Sequence, residues 1–274
     1  MERKKLRELQ LVQLSIMEDI HRVCIEHNLR YYLVYGSALG AIRHHGVIPW
    51  DVDIDIAMPR KDYEAFVDTY SSYLQPRLLC VSYKTIKQYI PPHALVLMKD
   101  TKIIDKTGRR QTEYQPSEIF VDIFPLDVCP ESTYQRKIQA IELNLIKGIK
   151  YRKAAFVYSE NGYIKKITKS IIKGILSMFP WPFLNRLQQN IMKRHNNRSQ
   201  SGLWCSMAGA YGYTKNTVPI EWYGIPKLVA FEDTELCIPE HSHEILSRIY
   251  GDYMQLPDLE SQQKQYDYFV DAIW

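Results

Sequence analysis

The sequence predicts an α+β fold, a mixed β-sheet core with flanking helices and an added helical region. Three observations carry this expectation. Up to Pro130, amphipathic helical segments alternate with short apolar, β-branched or aromatic runs, a pattern that is neither all-α nor all-β. Beyond Pro130 the strand-like runs give way to long helical periodicities. No internal repeat or low-complexity tract interrupts the chain, which sets solenoid and disordered classes aside.

The first helix is expected from Lys5 to His27, because Leu9, Val12, Ile16, Ile20 and Val23 recur on one face, with Asn28 as its stop signal. Tyr31–Tyr35 reads as a buried strand ended by Gly36, and a short helix fits Ala38–Arg43. Gly46 and Pro49 punctuate a loop before a second strand, Val52–Met58. Pro59 opens a helix that runs to about Tyr70. The segment Leu78–Ile104 holds two or three strands, including Leu95–Met98, and Ile119–Phe124 forms another that ends at Pro125. Helices are then expected over about 133–158, 162–178 and 183–197. After the polar loop Asn196–Gly202 come a Gly- and Tyr-containing stretch, a hairpin around Phe231–Ile238, a helix from His241 to about Tyr250 and a closing polar segment. The expected division is a catalytic core, 1–130, a basic helical region, 131–200, and a C-terminal segment, 201–274, packing back on the core.

An apolar fraction of 46% and a charged fraction of 24% are those of an ordinary globular protein with a substantial core. The five cysteines are odd in number, widely spaced and without a C-x-x-C pair, so they read as reduced thiols rather than a disulfide scaffold or zinc ribbon. MERKKLRELQLVQL lacks the apolar segment of a signal peptide, and no run reaches the ~18 apolar residues of a spanning helix. The net charge of +4 conceals an asymmetry: Lys147–Arg198 holds twelve Lys and Arg against Glu160 alone, which leaves the remainder at −7. A basic segment on an acidic body implies an anionic partner.

The chemistry concentrates in YGSALGAIRHHGVIPWDVDIDIAM, Tyr35–Met58. Gly36 lets a phosphate approach the backbone, Ser37 offers a hydroxyl, and the helix that follows offers unpaired N–H groups at its N-terminus. In Asp53-Ile54-Asp55-Ile56 the strand period of two turns both carboxylates to one face. Their repulsion is relieved by a divalent cation, and hard oxygen ligands suit Mg²⁺ or Mn²⁺. A phosphate cradle facing a carboxylate pair is the arrangement of two-metal phosphoryl transfer. Asp122, in the middle of an apolar strand, is the expected third ligand and the group that takes the acceptor proton. Asp127, past Pro125, is expected in the following loop.

The run Gly36-Ser37-Ala38-Leu39-Gly40, Arg43-His44, Gly46, Ile48-Pro49-Trp50-Asp51 and Asp53-Ile54-Asp55 resembles the LicD family of the nucleotidyltransferase superfamily. VDIFPLD, Val121–Asp127, and YGDYMQLP, Tyr250–Pro257, are similar to later blocks of that family. The resemblance implies a nucleotidyltransferase-type core and transfer of a phospho-alcohol, such as phosphocholine, from a CDP-linked donor to a hydroxyl of a surface glycan or its lipid-linked precursor. Fukutin-type polyol-phosphate transferases share the core motif. Val52 departs from the pattern, standing where the family often has another acid.

The expected site comprises Asp53, Asp55 and Asp122 as catalytic and metal-binding residues, with Gly36, Ser37, Arg43 and His44 toward substrate. Arg43 and His44 have two readings of equal weight, reaching a donor phosphate or packing the loop against Asp51. Trp50 is expected to anchor that loop, and Tyr250-Gly251-Asp252 to brace the site from the tail. The segment 163–183 sets Ile164, Ile167, Ile171 and Ile175 against Lys165, Lys166, Lys169 and Lys173, followed by Phe179, Trp181 and Phe183. That is the pattern of a helix on an anionic membrane surface and equally of one covering a core. No recognition motif supports nucleic acid. The expected location is cytoplasmic, either free or peripheral on the inner face of the cytoplasmic membrane. Two other functions remain open on the residues alone: a true nucleotidyltransferase that releases pyrophosphate from an NTP, and a non-catalytic glycan- or membrane-binding protein.

Overall fold

The computed structural model describes residues 3–105, 116–155, 178–197, 201–266 and 269–273. Helix α1 (Arg3–Glu26) buries Leu6, Leu9, Ile16, Ile20 and Val23, and Asn28 beyond it takes the left-handed conformation expected of a stop residue. There follow β1 (Tyr32–Leu33), α2 (Tyr35–His44), β2 (Asp55–Pro59) and α3 (Arg60–Asp68). Strands β3 (Leu78–Val81), β4 (Ala94–Met98), β5 (Lys102–Asp105) and β6 (Ile119–Val128) complete the N-terminal half. The rest comprises α4 (Thr133–Ala155), α5 (Trp181–Lys193), β7 (Leu203–Cys205), α6 (Gly212–Asn216), β8 (Thr217–Pro219) and α7 (Ile220–Tyr223). Last come the hairpin β9 (Lys227–Phe231) and β10 (Thr234–Ile238), then α8 (Ser242–Tyr250), α9 (Leu259–Tyr266) and β11 (Phe269–Ile273).

The central sheet has the order β1-β2-β6-β4-β3, parallel between β2 and β6 and antiparallel elsewhere, which makes it the mixed sheet expected. Strand β7 pairs the far end of β6, and β8 pairs β7. Alternation sorts the two faces. Ile56, Met58, Val121 and Ile123 join the core cluster that contains the α1 residues Leu9, Ile16 and Ile20. Ala57, Phe124 and Leu126 join a second cluster with Tyr223, Ile245 and Ile249 from the C-terminal part. Phe231 and Leu236 of the hairpin return to the first cluster. No helix among the described residues is long and apolar enough to cross a membrane.

Several boundaries differ from the sequence expectation. The strand expected over Tyr31–Tyr35 is only two residues long, and the helix begins at Tyr35 rather than Ala38, so Gly36 and Ser37 occupy a first helical turn. Tyr35 enters that turn with φ of 52°, a strained value for a bulky side chain. Its ring is fixed edge-on to Phe124, with centroids 5.6 Å apart. The second strand starts at Asp55, not Val52, which leaves Asp53 outside it. The strand expected to stop at Pro125 runs through it to Val128. Because Asp122 N donates to Ile54 O, alternation aims the N position of residue 125 away from β2. On that side β4 has already ended at Ala94, opposite Ile123, so proline forfeits no ladder bond. The closing segment, expected to be merely polar, forms α9 and a strand that pairs β5.

Trp181, one of the three aromatics that follow the basic segment, is 8% exposed and packs on Ile90 and Ala154, which fits the core-covering reading for this residue. Phe179 and Phe183 are exposed and stack on each other. The helix expected over 162–178 falls almost wholly outside the described residues.

Asp127, expected in a loop, lies fully buried within β6. Its carboxylate accepts two bonds from Arg60, Nε to Oδ1 at 2.8 Å and Nη2 to Oδ2 at 2.5 Å, and a third from Asn196 Nδ2 at 2.7 Å. Arg60 Nη1 reaches Gln189 Oε1 at 3.1 Å, so one ionic cluster ties α3, β6 and α5 together. Its Coulomb gain is set against a large desolvation cost, but removal of one partner leaves the other charge buried and alone. Asp127→Ala is expected to lower the free energy of unfolding by about 3–5 kcal/mol in urea titration, while Asp127→Leu combined with Arg60→Met recovers much of that loss. A single variant as stable as wild type would contradict this account.

Candidate active site

Strand register brings two of the motif carboxylates together. Asp55 begins β2 and stands directly opposite Asp122 in the parallel β6 ladder, so both side chains leave the same face. Asp53, in the extended link before β2, reaches the same point from outside the strand. One oxygen from each of the three carboxylates falls within 4.8 Å of the others. The convergence expected from simple alternation is thus achieved by a cross-strand neighbour and a preceding link. Ile54, between the two aspartates, is fully buried in the main core.

The link is fastened from three sides. Gln13 of α1 donates to Val52 O at 2.9 Å, and Gln10 donates to Ile48 O at 3.1 Å and Asp51 O at 2.9 Å. Glu232, in the β9–β10 turn, accepts from Val47 N at 3.0 Å and is itself held by both terminal nitrogens of Arg7. The Ser37 hydroxyl accepts from Asp55 N at 2.8 Å. Ser37 is therefore buried and sets the entry of β2, and its own N–H is spent on Val34 O at 3.1 Å, so it is a positioning residue rather than the free phosphate donor expected from the sequence. Gly36 has a steric reason in the structure: a Cβ there would run into the Asp51 carboxylate.

Gly36 and the motif carboxylates line one wall of a cleft of about 1060 Å³, whose lining does not include Ser37. Gly36, Asp51, Asp53, Asp55 and Asp122 lie on that wall, and Tyr211, Tyr250, Asp252 and Asp258 come from the C-terminal part. Arg43 also lines the cleft, but it is not packed against Asp51; its Nη1 donates to Tyr253 O at 2.7 Å and Gln255 O at 3.3 Å. The YGDYMQLP block thus braces the site through backbone carbonyls, and the Tyr211 and Tyr250 hydroxyls meet at 2.8 Å. His44 stands edge-on to Trp50, 5.6 Å between centroids, and is absent from the cleft lining. Val52 lines the cleft and packs on the core, so the departure from the motif leaves an apolar side chain beside Asp53.

Sequence reading missed His93, whose Nε2 lies 2.7 Å from Asp122 Oδ1 and whose ring lies against Phe124. No local pattern joins positions 93 and 122; only the β4–β6 pairing does. Asp51 was read as part of the motif but not of the site. The polar pair Gln10 and Gln13 on the apolar face of α1 was a legible signal, since buried amides on such a face require partners.

Crowding dominates the electrostatics. Burial first, then the charges of Asp53, Asp122 and Asp51, push the Asp55 carboxyl well above its ordinary range. Burial and Asp53 do the same to Asp51. This donor set fits a divalent cation, because three hard oxygens converge where their mutual repulsion calls for a positive charge.

Comparison with known proteins places this geometry in context. Residues 28–142 match the family described as LicD/FKTN/FKRP, nucleotidyltransferase domain. Over 267 residues the chain is 29% identical to the lipopolysaccharide cholinephosphotransferase LicD of Haemophilus influenzae, covering 96% of each chain. Over 48 residues it is 41% identical to an uncharacterized protein of Rickettsia prowazekii, a match to 18% of each chain.

Asp55 gives a pH dependence with a defined sign. An aspartate in the unfolded chain ionises near pH ~4, whereas folded Asp55 keeps its proton to a higher pH. Between those values the native state binds more protons than the unfolded state, so stability falls as pH rises through the window. In chelating buffer, the melting temperature is expected to decline more steeply from about pH 4 upward for wild type than for Asp55→Asn. Equal slopes would show that Asp55 ionises normally.

Proposed function

We propose that the chain, whose residues 28–142 match the LicD/FKTN/FKRP domain, is a phosphotransferase that moves a phospho-alcohol, phosphocholine foremost, from a CDP-linked donor to a hydroxyl of a cell-surface glycan or its lipid-linked precursor. The observation that carries this reading is the convergence of Asp53, Asp55 and Asp122 in the cleft of a family domain. Likeness to the Haemophilus influenzae cholinephosphotransferase along 96% of both chains supports phosphocholine over other groups. The cleft wall agrees with it. Trp50, Tyr211 and Tyr250 stand with Asp252 and Asp258, and aromatic faces beside carboxylates suit a quaternary ammonium.

Asp53, Asp55 and Asp122 would hold Mg²⁺ or Mn²⁺, which when bound neutralises charge on the donor phosphates. The rest of the work falls to the chain itself. The first turn of α2 brings the Gly36 backbone to the cleft, where no side chain keeps the diphosphate away. Arg43, steadied by Tyr253 O and Gln255 O, adds positive charge to the same cleft. Asp122, held by His93, accepts the proton of the acceptor hydroxyl. The freed oxygen bonds to the phosphorus that carries the alcohol, the bond from that phosphorus to the CMP oxygen breaks, and CMP leaves. A CDP-linked donor and a lipid-linked acceptor place the reaction at the cytoplasmic side of a membrane.

The test is product identity. With CDP-choline, Mg²⁺ and a glycan acceptor, CMP and a phosphocholine-bearing glycan are expected, with turnover lost in EDTA and restored by Mg²⁺. Asp122→Asn is expected to lower kcat/KM by roughly 10²–10⁴-fold. Pyrophosphate release from an NTP would instead identify a nucleotidyltransferase. Absence of turnover with every donor, unchanged in Asp53→Asn, would identify a binding protein.

A further inference from the structure

Behind the carboxylates lies a second, smaller cavity of about 440 Å³, between the end of the sheet and helices α4 and α5. It shares His93, Asp122, Lys147, Ala208 and Ala210 with the cleft, so the two spaces meet at Asp122. Their charge is opposite in character. The cleft carries six aspartates against Arg43 and Lys147, whereas the inner chamber has Asp122 at its mouth and otherwise Lys147 and Lys150 as its charged residues.

Lys150 is the unusual member. It is 1% exposed, and its Nζ donates to the neutral Gln188 Oε1 at 2.8 Å. No carboxylate among the described residues forms an ion pair with it. Burial alone brings its ammonium down to about 7, with no acid to offset the loss of water. A buried cation beside one amide is costly, and a packed core offers cheaper ways to fill the space. Lys147, one helical turn earlier on α4, is exposed and lines both spaces. The two lysines at i and i+3 therefore face the chamber together. Asn144, Gln188 and Thr214 supply further hydrogen-bonding groups around it.

We propose that this inner chamber is a binding site for a phosphate-type anion, with Lys150 and Lys147 as its counter-charges. The same lysines repel a trimethylammonium group, which leaves the aromatic and acidic cleft for the alcohol; that corollary rests on the function proposed above, whereas anion binding itself does not. Two sources share the chemistry: a phosphate on the sugar acceptor and the phosphate of the nucleotide product. Opening beside Asp122, the chamber lies within reach of either.

Calorimetric titration of the full chain in chelating buffer tests this without donor, metal or turnover, so it remains readable even if phosphotransfer fails. Inorganic phosphate is expected to bind wild type and to lose about tenfold or more in affinity in Lys150→Met, the range for a hydrogen bond to a charged group. Lys150→Met is expected to melt no lower than wild type, because it removes a buried cation that lacks an acidic partner. Lys147→Gln, altered at an exposed position, is expected to weaken phosphate in the same direction and serves if the first variant does not fold. Glucose 6-phosphate bound more tightly than glucose, with the difference lost in the variants, assigns the anion to the acceptor. CMP binding that depends on the lysines assigns it to the nucleotide. Phosphate affinity unchanged in both folded variants, or no phosphate binding by wild type, overturns the proposal.

Discussion

Mutual repulsion among carboxylates is the constraint around which this molecule is organised. Asp55 and Asp122 are direct neighbours across a parallel ladder, Asp53 joins them, and Asp51 stands close enough to raise the proton affinity of Asp55. Such a cluster does not hold itself together, so the chain that carries it is fastened by groups from distant parts of the sequence. Gln10 and Gln13 grip the link from α1, Glu232 grips it from the hairpin, and Ser37 fixes the point where it becomes strand. Each fastening satisfies a backbone group that would otherwise be left unpaired near the core. The stability of the scaffold thus offsets a site that is unfavourable without a cation.

The same logic separates the two spaces that meet at Asp122. Negative charge lines the open cleft, where solvent has access to moderate it. Positive charge lines the inner chamber, where Lys150 has an amide and no acid beside it. Under the function proposed above, a substrate that carries both a cationic alcohol and phosphate groups would experience this division as orientation. His93 sits on the boundary, touching Asp122 and lining both spaces. The Arg60–Asp127 cluster performs no such task; it joins three elements beneath the site and keeps β6, the strand that bears Asp122, in place.

Local rules served well wherever one element decides its own geometry. The long first helix, the hairpin and the strands of the mixed sheet follow from periodicity and turn residues, and the carboxylate trio follows from the motif together with one acid in an apolar strand. The rules erred where a neighbour overrides local preference. Pro125 continues a strand because β4 ends before reaching it, and Asp127 is buried because Arg60 meets it.

What the sequence carried by itself is the candidate chemistry: clustered hard oxygen donors, a glycine and serine at a helix start, and a motif dense enough to point to a domain family. Those features lie within one short stretch and depend on residue type and spacing. Tertiary structure alone decided which residues support that chemistry. His93 and Glu232 reach the site and its supporting link through strand pairing and packing between segments far apart in the chain, and no periodicity encodes such contacts. Asp53 and Asp55 announce the carboxylate cluster, but the register of β2 against β6 puts Asp122 beside them.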